Sequence, residues 1–272
     1  AAAPFAADGD LAPIANPLSE TFAVLRPSVL PGLIGAVAHN RRREQRDVRL
    51  FETGACFTRT GGERRAMACA WTGSVRPEHW SGDTRDVDFF DIKGIVERVA
   101  QALRLEITLE PTRTPWLVPG RAATVVAGTT VIGTVGQLAP AIADAHGIPA
   151  GDAVYVADLD LDRAETLAPR EEPRVEPLPR FPSSTRDISI LVADTLSSAA
   201  VRTTIRRAAP ATLARVAEFD RYQGKGIPDG QVSLSLRLTF RSPDRTLTDV
   251  EVQDAMTAVL AALRDTHQAT QR

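Results

Sequence analysis

The sequence predicts an α+β protein in two parts: a helix-flanked, largely antiparallel sheet, then a smaller β-α-β-β-α unit. Three observations predict it. The chain has 272 residues, which at roughly 150 residues per domain makes about two domains. The segment Ala168-Pro-Arg-Glu-Glu-Pro-Arg-Val-Glu-Pro-Leu-Pro-Arg180 has four prolines and no apolar period. It reads as a semi-rigid linker between domains 1–167 and 181–272. Finally, Val232, Leu234, Leu236, Leu238 and Phe240 alternate with Ser233, Ser235, Arg237, Thr239 and Arg241, the period of a strand covered on one face.

In the first part an irregular Pro- and Ala-rich stretch precedes a helix near Ser28. Ser28 is its expected cap, and Leu30, Leu33, Ile34 and Val37 recur at helical spacing. Arg41, Arg42 and Arg43 place positive charge at its C-terminal dipole. Strands are predicted at Val48–Thr58 and Arg65–Gly73. A second helix runs from Asp91 to Leu103 on the stripe Ile92, Ile95, Val96, Val99 and Leu103. Strands follow at Leu105–Glu110, Ala122–Ala127, Thr130–Gln137 and Ala153–Leu159, with a helical turn at Pro140–His146. The uncharged stretch Ala122–Ala143 is rich in Gly and Thr. It reads as two strands around a turn at Gly128, not as a membrane span.

In the second part, Asp187–Val192 reads as a strand and Ser198–Ala208 as a helix. Leu213–Tyr222 and Gln231–Arg241 are strands joined by a turn at Gly224–Gly230. Thr248–Arg264 is a helix opened by a capping box of Thr248 and Glu251. The order matches a ferredoxin-like sandwich, whose closing strand would have to lie in His267–Arg272, a weak candidate. Both helices cover the apolar sheet face. Phe219 is expected in the core, with Asp220 and Tyr222 on the opposite face. That open face, carrying an aromatic and guanidinium groups, reads either as a platform for single-stranded RNA or as a solvated surface.

Net charge is −2, so bulk charge does not mark a nucleic-acid or membrane-surface binder. Divided before Glu176, the first part is net −4 and the second net +2. The second is therefore the better partner for a polyanion. Cys56 and Cys69 are too few for a disulfide framework and read as buried thiols in a reducing cytosol. The four histidines are far apart, so no zinc site is expected. Asp158, Asp160 and Asp162 lack the Gly and terminal Glu of a calcium loop and read as a solvated strand edge. No phosphate loop or Gly-x-Ser-x-Gly elbow occurs, and no catalytic residue is assigned. No signal peptide is expected, since the first basic residue is Arg26. A cytoplasmic location without a membrane partner is expected. With no opening Met, the chain is expected to be a fragment of something longer.

Several strings occur in the order of one family. Asn16-Pro-Leu-Ser-Glu20, Leu25-Arg-Pro-Ser-Val-Leu-Pro-Gly-Leu33 with Asn40, and Leu50-Phe-Glu-Thr-Gly54 with Phe57 come first. Asp88-Phe-Phe-Asp-Ile-Lys-Gly-Ile-Val-Glu97, Pro119-Gly-Arg-Ala-Ala123 and Ile132-Gly-Thr-Val-Gly-Gln-Leu138 follow. Phe181-Pro-Ser-Ser-Thr-Arg-Asp-Ile-Ser189, Phe219-Asp-Arg-Tyr-Gln-Gly224 and Asp244-Arg-Thr-Leu-Thr-Asp249 complete the set. Together they resemble the later part of the bacterial phenylalanyl-tRNA synthetase beta subunit. Val118 and Ala139 stand where that family often has His.

The resemblance implies that the first part is a class II synthetase-like, non-catalytic core that holds the catalytic alpha subunit in an α2β2 assembly. The helix after Ser28 resembles the class II interface motif, with Leu30, Pro31, Leu33 and Val37 as interface candidates. The alternative is that this stripe packs only inside its own domain. The second part resembles a ferredoxin-like domain that contacts the anticodon region of the phenylalanine tRNA. Arg237 and Arg241 are suited to phosphate contact or stacking, Tyr222 to stacking, and Lys225 to reaching the backbone. Arg180, Ser183, Ser184 and Arg186 lie where the chain enters the domain. Arg186 reads equally as a structural partner of Asp187 or Asp220. No cofactor or metal is expected in this chain; ATP and magnesium are implied for the whole enzyme. A synthetase-derived scaffold without RNA binding is the alternative function.

Overall fold

The computed structural model describes residues 3–7, 9–19, 23–77, 79–170 and 178–272. Within it the chain divides into two units, Ala1–Pro173 and Arg174–Arg272. Residues 171–177 of the proline-rich segment, and Glu20 of the first string, lie outside the described residues.

Unit 1 opens with helix α1, Leu30–Arg41, which has a proline in its first turn where the missing N–H costs nothing. Its N-cap is Val29 and not Ser28. Ser28 still serves the helix end, because its Oγ accepts from the Leu30 N–H at 3.0 Å. Strands β1 (Val48–Thr58) and β2 (Gly62–Thr72) form a hairpin. Helix α2 is Phe89–Ala102, followed by β3 (Ile107–Pro111), β4 (Leu117–Ala127), β5 (Thr130–Leu138) and the short helix α3 (Pro140–Ala145). Strand β6, Val154–Asp160, leads into helix α4, Leu161–Leu167. The sheet runs β1-β2-β6-β5-β4-β3, and every pairing is antiparallel.

Both faces of this sheet are covered. Ala66, Ala68 and Ala70 of β2 join the core under α1, whereas Cys69 and Trp71 join the core under α2. The small alanines let α1 approach the sheet closely. Cys56 and Cys69 are buried free thiols, and burial pushes Cys69 up to about 11.

One helix boundary and one additional helix differ from expectation for a physical reason. α2 begins two residues before the expected Asp91. The Asp88 carboxylate accepts from the Phe90 and Asp91 N–H groups at 2.7 and 3.3 Å, and Asp91 accepts from the Asp88 N–H at 2.8 Å. An apolar stripe locates the body of a helix, while the cap sets its start. α4 was not anticipated. Asp160 caps it by accepting from the Arg163 N–H at 3.0 Å, so the alternating aspartates were misread as one strand edge. Asp162 accepts from Arg65, at 2.7 Å from its backbone N and 2.6 Å from Nε. Asp158 is not solvated. It is largely buried, its side chain 14% exposed, accepts from Ser28 Oγ at 2.7 Å, and lies 3.8 Å from Arg64. Burial raises its carboxyl above the usual range, opposed by Arg64 and the Ser28 bond.

Unit 2 consists of β7 (Ser184–Ala193), α5 (Ser198–Ala208), β8 (Leu213–Tyr222), β9 (Gln231–Phe240), α6 (Asp249–His267) and β10 (Thr270–Gln271). The order β10-β7-β9-β8 is that of a ferredoxin-like sheet, antiparallel throughout. The weak closing strand is present as two residues, Thr270 and Gln271, paired with Leu191 and Ile190. The capping box of Thr248 and Glu251 opens α6 as expected. Both helices cover one sheet face. There Ile188, Ile190, Val192, Leu234, Leu236, Leu238 and Phe240 are buried with Val201, Ile205, Val259 and Leu263.

Candidate nucleic-acid interface

The open face of unit 2 follows from strand parity. On β9 the apolar residues point to the helices, leaving Ser233, Ser235, Arg237 and Thr239 on the other side. Register sets Leu191, Ser189, Asp187 and Thr185 of β7 opposite these four, in that order. It sets Tyr222, Asp220, Ala217 and Arg215 of β8 opposite the same four.

The face differs from the expected open polar surface in its centre. Ser233 and Ser235 are buried, and Ser189 Oγ lies 2.9 Å from Ser235 Oγ. These serines floor a shallow groove of about 460 Å³ walled by Asp220, Tyr222 and Arg272. The Arg272 guanidinium lies 5.7 Å from the Tyr222 ring centroid, and the Tyr222 hydroxyl donates to the Lys225 carbonyl at 3.3 Å. A half-exposed aromatic, a carboxylate, hydroxyls and a guanidinium therefore share one concavity. That combination suits a flat heterocycle bearing hydrogen-bond donors and acceptors.

Arg237 lies on this face but is not free. It donates from Nε and Nη2 to the two Asp187 oxygens at 2.8 and 2.7 Å. The guanidinium holds the Asp187 carboxyl below its ordinary value. It also lies 5.3 Å from the Phe219 ring centroid. Phe219 is 54% exposed, contrary to its expected place in the core. A register shift between Glu218 and Asp220 makes it the extra residue of a β-bulge, so parity counted along β8 fails at that residue.

The other candidates divide. Arg186 pairs in register with Leu238 on the helix side, and its Nη2 donates to Asp249 at 3.0 Å. Its partner is thus neither Asp187 nor Asp220. Ser184, opposite Phe240, likewise belongs to the helix side. Arg180 and Ser183 are exposed before β7, and Lys225 is exposed in the β8–β9 turn. Arg241 has a buried Nε without a hydrogen-bond partner among the described residues. Sequence reasoning missed Ser189, Arg215 and Arg272 on this face. Single hydroxyls and a near-terminal arginine carry no periodic signal.

The structure turns the proposed subunit-interface stripe inward. Leu30, Leu33 and Val37 are buried against unit 1's own sheet, so these three fill the domain core. Pro31 remains partly exposed, beside Gly32, Gly35 and Ala36 on the outward side of α1. Among the described residues no group of three or more His, Cys, Asp or Glu side chains is placed to hold a metal ion. No helix among them is long and apolar enough to cross a membrane.

Residues 4–161 match the family model described as the phenylalanyl tRNA synthetase beta chain CLM domain. Residues 179–272 match that of the ferredoxin-fold anticodon binding domain. The chain belongs to the phenylalanyl-tRNA synthetase beta-chain family. It is 39% identical over 257 residues to the phenylalanine–tRNA ligase beta subunit of Moorella thermoacetica, covering 93% of this chain and 32% of that protein. The corresponding subunit of Xanthomonas axonopodis pv. citri is 37% identical over 265 residues, 95% of this chain and 33% of that one. That of Geobacillus kaustophilus is 36% identical over 257 residues, 92% of this chain and 32% of that one. The chain thus spans about a third of the length of the curated relatives it matches. Within this family the strings of unit 1 belong to the CLM match and those of unit 2 to the anticodon-binding match.

Proposed function

We propose that the chain is the C-terminal part of a phenylalanine–tRNA ligase beta subunit. In this reading it supports ATP-dependent attachment of phenylalanine to its tRNA without catalysing it. Unit 1 binds the catalytic alpha subunit within an α2β2 assembly, and unit 2 binds the tRNA anticodon region. ATP and magnesium act in the whole cytoplasmic enzyme. The observation that carries the reading is the groove of Asp220, Tyr222, Ser233, Ser235 and Arg272, on the open sheet of a domain matching the anticodon-binding family. Tyr222 stacks on a base. Arg237, Arg241, Lys225, Arg180 and Ser183 serve the flanking backbone, while Arg186 and Ser184 support the domain's first strand.

The test is a salt titration of binding to the phenylalanine tRNA anticodon stem-loop, against a scrambled-anticodon control. Tighter cognate binding that weakens as salt rises is the expected result. Tyr222→Ala is expected to cost about 1–3 kcal/mol, the usual contribution of one base–aromatic stack, and to reduce the cognate preference. Equal binding of both loops, with wild-type aminoacylation by the assembled Tyr222→Ala enzyme, overturns the reading. The scaffold alternative draws support from the Arg237–Asp187 pair, which neutralises the most central guanidinium, and that second result establishes it.

For the alpha subunit, the outward side of α1 around Pro31 replaces the buried leucines as the contact. Gly35 has open space around it. A Gly35→Leu chain is therefore expected to fold normally, yet to bind the alpha subunit about tenfold or more weakly, as overpacking costs about 1–3 kcal/mol. Pull-down or ultracentrifugation with the purified alpha subunit reads this directly, and undiminished assembly excludes the α1 face.

A further inference from the structure

We propose that unit 2 carries a second RNA-contact surface on its helix side, a phosphate-binding strip formed by Arg202, Arg206, Arg207 and Arg221. The proposal rests on the RNA-binding reading of unit 2 and extends it to a face that reading leaves unused.

α5 buries Val201 and Ile205. At 3.6 residues per turn, Arg202, Arg206 and Arg207 then fall on its outward arc. All three are exposed, and α5 contains no acidic residue. Arg221 joins them from β8. Its register partner is Leu234, a core residue, so Arg221 projects to the helix side. Its neighbours Asp220 and Tyr222 face the groove.

What groups these four arginines is that they are exposed on or beside α5 and, like Arg180, Arg215, Arg241 and Arg272 of the same unit, have no carboxylate partner among the described residues. In the same unit Arg186, Arg237, Arg245 and Arg264 each have a carboxylate partner. Among the described residues, Arg202, Arg206, Arg207 and Arg221 have neither an ion pair nor a side-chain hydrogen bond. The helix layer is divided accordingly. α6 holds Asp249, Glu251, Asp254 and Asp265, whereas α5 holds cations only. On the helix side of β8 the one carboxylate is Glu218, opposite Leu236.

The position matters as much as the charge. β8 is an edge strand, so its two faces meet at a free border. An RNA strand leaving the Tyr222 groove across that border meets Arg221 and then α5. Arg202 and Arg206 lie one helical turn apart, about 5–6 Å between Cβ atoms. Each presents a planar fork that matches phosphate oxygens. Contacts of this kind position the backbone and carry no base preference.

The test compares the 272-residue chain with R202Q/R206Q/R207Q, which removes three charges while keeping long side chains of good helix propensity. The control is R76Q/R98Q/R113Q, which removes the same charge from exposed arginines of unit 1. Each is titrated with phenylalanine tRNA and with its scrambled-anticodon form from 50 to 200 mM salt. The wild-type chain and the control are expected to lose about 20- to 40-fold more affinity over that range than the α5 variant, as three counterion-releasing contacts require. The ratio of cognate to scrambled affinity should stay unchanged in all three. Equal salt slopes in all three chains overturn the strip while leaving the anticodon reading intact. An equal fall in both variants reduces the effect to net charge and also overturns it. Loss of the cognate preference in the α5 variant assigns these arginines to the anticodon site instead. No RNA binding by the wild-type chain at 50 mM salt overturns both readings.

Discussion

Phe240→Ala is expected to destabilise unit 2 by about 3–5 kcal/mol, the usual cost of removing a buried aromatic ring. Phe240 is the largest of the fully buried side chains. It ends β9, facing Ser184 of β7 and Leu213 of β8 in register, so its ring closes the core where three strands meet. A domain of about 100 residues has roughly 5–15 kcal/mol of stability in total, so a large share of it is at stake. At about 4–8 °C per kcal/mol for a domain this size, the melting transition of unit 2 should fall by about 12–40 °C. Calorimetry should show it move while the transition of unit 1, whose core shares no residue with this one, stays in place. A shift of only a few degrees would mean that neighbouring side chains collapse into the vacated space. RNA binding should vanish above the new transition, because Ser233 and Ser235 of the groove lie on the reverse of the same β9 strand.

The ferredoxin-like unit was the more legible part of the chain. Its core strand alternates without interruption, its second long helix carries a complete capping box, and α5 starts and ends where its apolar period does. Period and cap are local properties, so they survive in the sequence. The site was less legible because its geometry depends on register. Phe219 leaves the core through a bulge that no residue of Phe219-Asp-Arg-Tyr222 announces. Arg186 and Asp187 are adjacent, yet one reaches α6 and the other clamps Arg237. In unit 1 the stripe on α1 was visible, but an apolar stripe does not say which surface it faces. It lies against the alanines of β2, so the same residues that suggested an interface became core. Asp158 was misread for a related reason. Its partners Ser28 and Arg64 are far away in sequence, and only the sheet brings them to it.

The glycines of Ile132-Gly-Thr-Val-Gly-Gln-Leu138 show how a string that carried a family resemblance acquires a physical cause. β5 is an inner strand between β4 and β6. The pairing of β4 with β5 shifts register between Leu117 and Ala122, around Gly120, whose φ is +80°. Gly136 pairs with Ala122, the first residue after this bulge. A Cβ placed on Gly136 would lie 2.7 Å from the Arg121 carbonyl oxygen and 2.9 Å from the Ala122 Cα. Those obstacles are backbone and cannot swing aside. Arg121 in turn donates to Gln137 Oε1 at 2.7 Å, so Pro119-Gly-Arg-Ala-Ala123 and the glycine string grip each other across the bulge. Gly136→Val is accordingly expected to destabilise unit 1 by about 3 kcal/mol, at the upper end of ordinary overpacking. Its thermal transition should fall while that of unit 2 does not. Adding Gly120→Ala should deepen the loss, since that backbone disfavours any Cβ. A Gly136→Val chain that melts like the wild type would show that β4 can surrender its bulge. In that case the 2.7 Å bond from Arg121 to Gln137 should also be dispensable, and Arg121→Ala should be silent. If the bulge is fixed, Arg121→Ala should cost about 1 kcal/mol, the net worth of one such hydrogen bond. The two substitutions together therefore separate a glycine required by the backbone from one that merely tolerates it.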